Sequence, residues 1–297
     1  MAKTRFRDDS GLTRRMGVVV FLLGALYVAF GAVLITRTGF ALGLIIVVGM
    51  AVGQWYFSDK LALASMKARE VTPEQAPELH GMIDRLVALA DMPKPKVYVA
   101  DTDLPNAFAT GRSPQHSAVC VTTGIMRRID ADELEGVLAH ELSHIAHRDV
   151  AVMTVASSLG LLAGFITRWG LYFGGGNNRN SNSGPALIVV WAVSIAVYAI
   201  SFLLTRALSR YRELSADRAG AYLTGKPSSL ASALVKISGE IGRIPTKDLR
   251  DKESMNAFFF APAFSKDSLS SLIATHPSTD KRIEQLSSIA ADLGRPF

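Results

Sequence analysis

Two unbroken apolar stretches, residues 16–36 and 40–58, lie near the start of the chain, each close to the ~20 residues that carry a helix across a bilayer. Apolar runs at 150–167 and 186–205 form a second pair. The pattern predicts about four transmembrane helices, arranged as hairpins over 16–58 and 150–205. A cleaved signal peptide competes for the first run, but its length and the second run close behind favour a retained helix. The third run stops at Arg168, where a buried or re-entrant helix competes with a full crossing. Residues 174–184, GGGNNRNSNSG, have the composition of a flexible linker.

Between and after the hairpins the pattern changes. Thr72-Pro73-Glu74-Gln75 reads as a capping box, followed by Leu79, Met82, Ile83, Leu86 and Leu89 at helical spacing. Short β-type runs at 96–100, 107–110 and 117–122, separated by Pro, Gly and Ser turns, predict a small antiparallel sheet. Asp130-Ala131-Asp132-Glu133 supplies a cap and two first-turn carboxylates for a helix whose buried side begins with Leu134, Val137 and Leu138. The predicted class is α+β, mainly helical. The polar regions 59–149 and 206–297 are expected to form two parts of one domain, with residues 1–15 as an N-terminal tail.

Charge orients these pieces. Lys3, Arg5, Arg7, Arg14 and Arg15 precede the first span, whereas only Arg37 lies between the first two. Lys60, Lys67 and Arg69 follow the second span, Arg148 precedes the third, and Arg206, Arg210 and Arg212 follow the fourth. The positive-inside rule therefore puts the tail and both polar regions on the cytoplasmic side of a cell inner or plasma membrane. Composition agrees with a membrane protein: 49% hydrophobic and 20% charged residues, with a mean hydropathy of +0.24, exceed an average soluble domain in apolarity. The net charge of +6 does not point to nucleic acid, because basic residues beside apolar spans have anionic lipid headgroups as the nearer partner. The single cysteine, Cys120, excludes an intramolecular disulfide.

Within the Asp130-capped helix stands His140-Glu141-Leu142-Ser143-His144. Histidines four apart differ by only ~40° in bearing and one turn in height, so both imidazoles can grip one metal ion. Glu141 is one residue round, suited to take a proton from water attacking an amide carbonyl. A catalytic zinc needs three protein ligands and an open position. His147 shares the bearing but sits about two turns from His140, too far to join the set. Glu213 is the better third ligand, with Asp217 one turn further on and able to orient a ligating histidine through its other ring nitrogen. The chain crosses the membrane twice between His144 and Glu213, and straight helices would raise both ~10 Å above the bilayer. On spacing alone, a solvated Glu and Asp four apart is an equally common pattern.

NAFATG, HELSHIAHRD, ELSADRAGA and ATHPSTDKRI, in this order and among paired apolar spans, resemble the HtpX family of membrane zinc metalloproteases, which is related to the CAAX prenyl proteases. The resemblance extends over nearly the whole chain. It implies a zincin-type, gluzincin-like catalytic domain with one zinc ion on His140, His144 and Glu213, Glu141 as general base and later proton donor, and Asp217 behind a ligand. Asn106, Ala107, Phe108 and Ala109 look like the family's cleft-side strand, which would hold substrate by strand addition; an ordinary edge strand is the competing reading. His276 resembles a residue that stabilises the oxyanion, although a histidine before a proline can simply end a helix. Arg282, on a helix capped by Ser278, would pair with Asp217 or Glu213. The implied function is a membrane-embedded zinc endopeptidase acting on membrane-associated or misfolded polypeptides, in protein quality control and stress response. A catalytically silent zinc scaffold and a CAAX-type prenyl-protein protease are the alternatives. His147 and residues 244–268 take no role in this reading.

Overall fold

The computed structural model describes residues 9–38, 49, 52–53, 56–57, 59–150, 152–153, 184–241 and 277–297. Along the chain run helix α1 (Ser10–Thr38), strand β1 (Arg69–Glu70), helix α2 (Pro77–Ala90), strands β2 (Lys96–Ala100), β3 (Ala107–Ser113) and β4 (His116–Thr122), the one-turn helix α3 (Thr123–Met126), and helices α4 (Ala131–His147), α5 (Gly184–Thr224), α6 (Pro227–Ile241) and α7 (Thr279–Asp292). They divide into two compact units. One comprises Met1–Leu12, Ser58–Val150 and Ser209–Phe297, the other Thr13–Phe57 and Ala151–Leu208.

In the second unit, α1 and α5 contain stretches long and apolar enough to cross a membrane, and the expected spans 16–36 and 186–205 lie within them. Phe21 and Val28 on α1 and Leu203 on α5 are exposed, an outward apolar surface that suits lipid rather than water. Nearly all of the expected spans 40–58 and 150–167, together with residues 244–268, fall outside the described residues.

In the first unit, the sheet has the order β1-β2-β4-β3. It is mixed, which corrects the antiparallel sheet expected from the sequence. The β3–β4 pair is an antiparallel hairpin, and β4 returns between β3 and β2, so that it runs parallel to β2 from Lys96↔Ala118 to Ala100↔Thr122. Strand alternation reads the same in either direction, so the period-two pattern cannot register this difference. The two-residue β1, paired antiparallel with β2, is too short for a period to reveal.

The alternation separates two cores. Val97, Ala107, Ala109, Val119 and Val121 face the helices, where Ile83, Leu86, Leu138, Leu142, Leu234 and Leu286 complete the main core. Ala100, Phe108 and Cys120 face the other way, against Ala62 and Met66. There burial pushes the Cys120 thiol up to about 12.

Helix α4 occupies the centre of this unit, in contact with α2, α6, β3 and β4. Its start is fixed by the capping box the sequence indicates: Asp130 accepts from Glu133 N–H at 2.9 Å, and Glu133 accepts from Asp130 N–H at 2.9 Å. Helix α2 begins later than expected, at Pro77 rather than Pro73. Only half of the Thr72 capping box forms, with Gln75 Oε1 accepting from Thr72 N–H at 2.9 Å. Pro77 then forces Ala76 out of the helical region, to φ −143° and ψ 64°.

Candidate metal centre

His140 and His144 project from the buried side of α4, with their rings perpendicular and centroids 4.8 Å apart. Their Nε2 atoms are 3.3 Å apart. Glu213, on the Ser209–Thr224 part of α5, brings Oε2 to 3.5 Å from His140 Nε2 and Oε1 to 3.6 Å from His144 Nε2. One atom from each of the three residues falls within 4.8 Å of the others, and all three residues are buried.

The far ring nitrogens are held as well. His140 Nδ1 lies 2.9 Å from Asp217 Oδ1, and Arg282 grips Asp217 with two bonds of 2.6 Å, from Nε and Nη2. Of the two partners expected for Arg282, Asp217 receives this fork; Glu213 Oε2 stands off at 3.9 Å from Nη1. Helix α7, which carries Arg282, starts at Ser278, whose hydroxyl accepts from Lys281 N–H at 3.4 Å. His144 Nδ1 is 2.9 Å from Asp149 Oδ2.

Glu141 lies beside the cluster, buried, with Oε2 accepting from the backbone N–H of Ala109 at 2.8 Å. Burial pushes its carboxyl up to about 7, with Glu213 reinforcing and His140 and the Ala109 bond opposing. Burial pulls His140 down, but Asp217 and Glu213 outweigh it and raise the imidazole to about 9. His144 is held below its usual value by burial, against the pull of Asp149. Burial would raise Asp217, yet Arg282 and His140 keep it below the ordinary carboxylate range.

The remaining expected site residues divide. Ala107 joins the main core and Phe108 the second core. Asn106 is tied to Thr122, donating its N–H to the hydroxyl and accepting from the Thr122 N–H, both at 3.0 Å. Ala109 is the one whose backbone reaches Glu141. His276 lies outside the described residues. His147 is the last residue of α4 and stands outside the three-residue cluster.

Three features were not anticipated from the sequence: Asp149 behind His144, Arg212 beside Glu213, and Gly220. Any Cβ at Gly220 would lie 2.9 Å from His140 N and 3.2 Å from Ala139 C, so the glycine allows α5 to meet the α4 backbone at the turn that carries His140. Its placement three residues after Asp217 was the available signal. The opposite side of the same α5 turns is held by Asp9, whose carboxylate accepts from Ser215 Oγ at 2.7 Å and from Arg218.

Residues 73–290 match the family described as Peptidase family M48. The chain is 57% identical to Protease HtpX homolog 1 of Streptomyces coelicolor, over 98% of this chain and 97% of that protein. It is 50% identical to the Protease HtpX homolog of Moorella thermoacetica, with 94% of each chain covered.

The chain belongs to the HtpX proteases of peptidase family M48.

It is a membrane-associated metalloprotease. Another HtpX relative, Protease HtpX homolog 2 of Methanosarcina acetivorans, is 48% identical over 98% of this chain and 99% of that protein. The crystal structure of S. mikatae Ste24p shares the fold, with a TM-score of 0.51 at 17% identity over 94% of this HtpX-family chain. The match spans 66% of the Ste24p chain.

Proposed function

We propose that this protein is a zinc-dependent endopeptidase of the His-Glu-x-x-His type, in which His140, His144 and Glu213 hold one Zn2+ and Glu141 is the catalytic base. The observation that carries the reading is the meeting of His140, His144 and Glu213 ligand atoms within 4.8 Å of one another. Two imidazoles and one carboxylate are a donor set suited to a hydrolytic zinc, which keeps a fourth position open. Magnesium or calcium would favour oxygen donors. With each Nδ1 facing a carboxylate, the Nε2 lone pairs are left for the shared centre. When bound, zinc supplies the Lewis acidity that polarises the scissile carbonyl and makes water a nucleophile near neutral pH.

The protein's own groups move the proton and hold the parts in place. Ala109 N–H fixes Glu141 Oε2, so Oε1 takes the proton from the attacking water and later returns it to the leaving amine. Arg282 acts through Asp217 to hold His140. His276 is assigned the developing negative charge on the carbonyl oxygen. Strand β3 is the outer strand of its sheet, and an extended substrate adds beside residues 106–109. The substrates are membrane-associated or misfolded polypeptides, cleaved at the cytoplasmic face of a cell membrane in quality control. The clusters of Lys and Arg next to the apolar spans support that orientation.

The test is cleavage of an unfolded protein by wild type and Glu141→Gln in detergent, with metal content measured on both. The variant should retain zinc and lose about 100- to 10,000-fold in rate. Equal cleavage by two zinc-loaded proteins would overturn the mechanism.

A further inference from the structure

Resting on the ligand set just proposed, we infer that Asp149 and Arg212 form a second supporting arm of the metal centre, in which Asp149 is the positioning residue for His144. The first arm runs from Arg282 through Asp217 to His140, with Arg282 Nη1 3.9 Å from Glu213 Oε2. The second repeats this order. Asp149 Oδ2 lies 2.9 Å from His144 Nδ1, and Arg212 Nε lies 3.5 Å from that oxygen and 3.9 Å from Glu213 Oε1. Each histidine is thus backed by an aspartate, each aspartate by an arginine, and the two arginines approach opposite oxygens of the same glutamate.

Two further observations fit this arrangement. His144, Asp149 and Arg212 are all buried, where solvent screens their charges little. Arg148 ends α4 with a left-handed φ of 57°, a helix-terminating turn that brings the next residue back toward the helix. This residue separates the end of α4 from Asp149, which reaches His144 directly after it.

Electrostatically, the arms resist the same problem from two sides. Metal binding requires His144 to present Nε2, and a carboxylate on Nδ1 fixes the ring and the tautomer that does so. Arg212 stands 3.5 Å from the Asp149 oxygen that faces His144, where its positive charge favours the carboxylate form.

The experiment compares full-length wild type, Asp149→Ala, Asp149→Asn, Arg212→Met and His144→Ala in detergent. Zinc affinity is read by competition with a chromophoric chelator, and ligand geometry from the visible absorption of the cobalt-loaded proteins. Asp149→Ala should bind zinc about 10- to 100-fold more weakly and show altered cobalt bands. Asp149→Asn, which keeps the size and a neutral acceptor, should fall between Asp149→Ala and wild type; it decides the matter if the alanine variant does not fold. Arg212→Met should weaken binding in the same direction, and adding it to Asp149→Ala should produce little further loss because the two act as one unit. Unchanged affinity and cobalt bands in both Asp149 variants, with binding lost in His144→Ala, would overturn the arm alone. Unchanged binding in His144→Ala would overturn the ligand set on which it rests.

Discussion

Glu133 joins two helices, α4 and α6, through one carboxylate. It closes the α4 capping box on Asp130, accepts from Ser232 Oγ at 2.5 Å and from Lys236 Nζ at 2.8 Å on α6. Burial would raise its pKa, but Lys236, Ser232 and the Asp130 N–H outweigh it and hold it below the ordinary carboxylate range. A depressed folded-state value means a stabilising contribution present above the ordinary range and lost as pH falls through the depressed value. Glu133→Gln should therefore lose about 1 kcal/mol at neutral pH, modest because Lys236 is partly solvated. Thermal unfolding should show the gap from wild type closing as the pH is lowered into the acid range; a gap independent of pH would exclude the charge as its source. At this scale the neighbourhood of His140 and His144 was legible because a four-residue spacing on a helix fixes direction by itself. The same spacing of Glu213 and Asp217 did not by itself distinguish a candidate site from a solvated pair. Asp149 and Arg212 were not legible. Asp149 becomes a partner of His144 only after Arg148 adopts a left-handed conformation, which an arginine in the sequence does not announce. Arg212 reads as one of several basic residues following an apolar span.

Helix α5 is fixed at the candidate metal centre because both sides of its Ser209–Thr224 portion are engaged. Glu213 and Asp217 face the histidines, and Ser215 and Arg218 face Asp9. Gly220 determines how near this portion comes to α4. In an exposed helix, Gly→Ala gains up to about 1 kcal/mol from propensity. At Gly220 the new methyl would meet backbone atoms of Ala139 and His140, which have nowhere to move, so overpacking of about 1–3 kcal/mol wins. Gly220→Ala should lower the melting temperature and weaken zinc binding together. Gly239→Ala on α6, with no heavy atom of the described residues within 4 Å of the added carbon, should leave binding alone and raise the melting temperature slightly. If Gly220→Ala behaved like Gly239→Ala, the close approach would have no energetic content. Helices with a clear cap were legible, as Asp130 and Ser278 demonstrate. Helix α2 was misplaced at its start because two prolines follow Thr72 and the pattern does not say which one opens the helix. Sheet direction was hidden for a different reason: β4 inserts between two strands that precede it, and a period-two pattern does not say which neighbour a strand takes or in which direction.

On the scale of the whole molecule, two helices long and apolar enough for a bilayer among the described residues accompany a unit whose candidate metal-binding groups are buried. The proposed orientation places the tail and residues 59–149 and 206–297 in the cytoplasm, and residues 174–184 on the far side. Single cysteines introduced as Thr4→Cys, Ser181→Cys and Ser288→Cys should divide accordingly when cells meet a membrane-impermeant maleimide. Ser181→Cys should be labelled in intact cells, whereas the other two should need permeabilised cells. Labelling of Ser288→Cys from outside would reverse the orientation. Cys120 makes this experiment simpler than usual. It is the chain's one sulfhydryl, shut between the sheet and the segment around Ala62 and Met66, and at a value of about 12 it is almost wholly unreactive thiol at neutral pH. The native protein is thus already a silent background for site-directed probes, so a spin label, fluorophore or cross-linker attached through one added cysteine would report from that position alone.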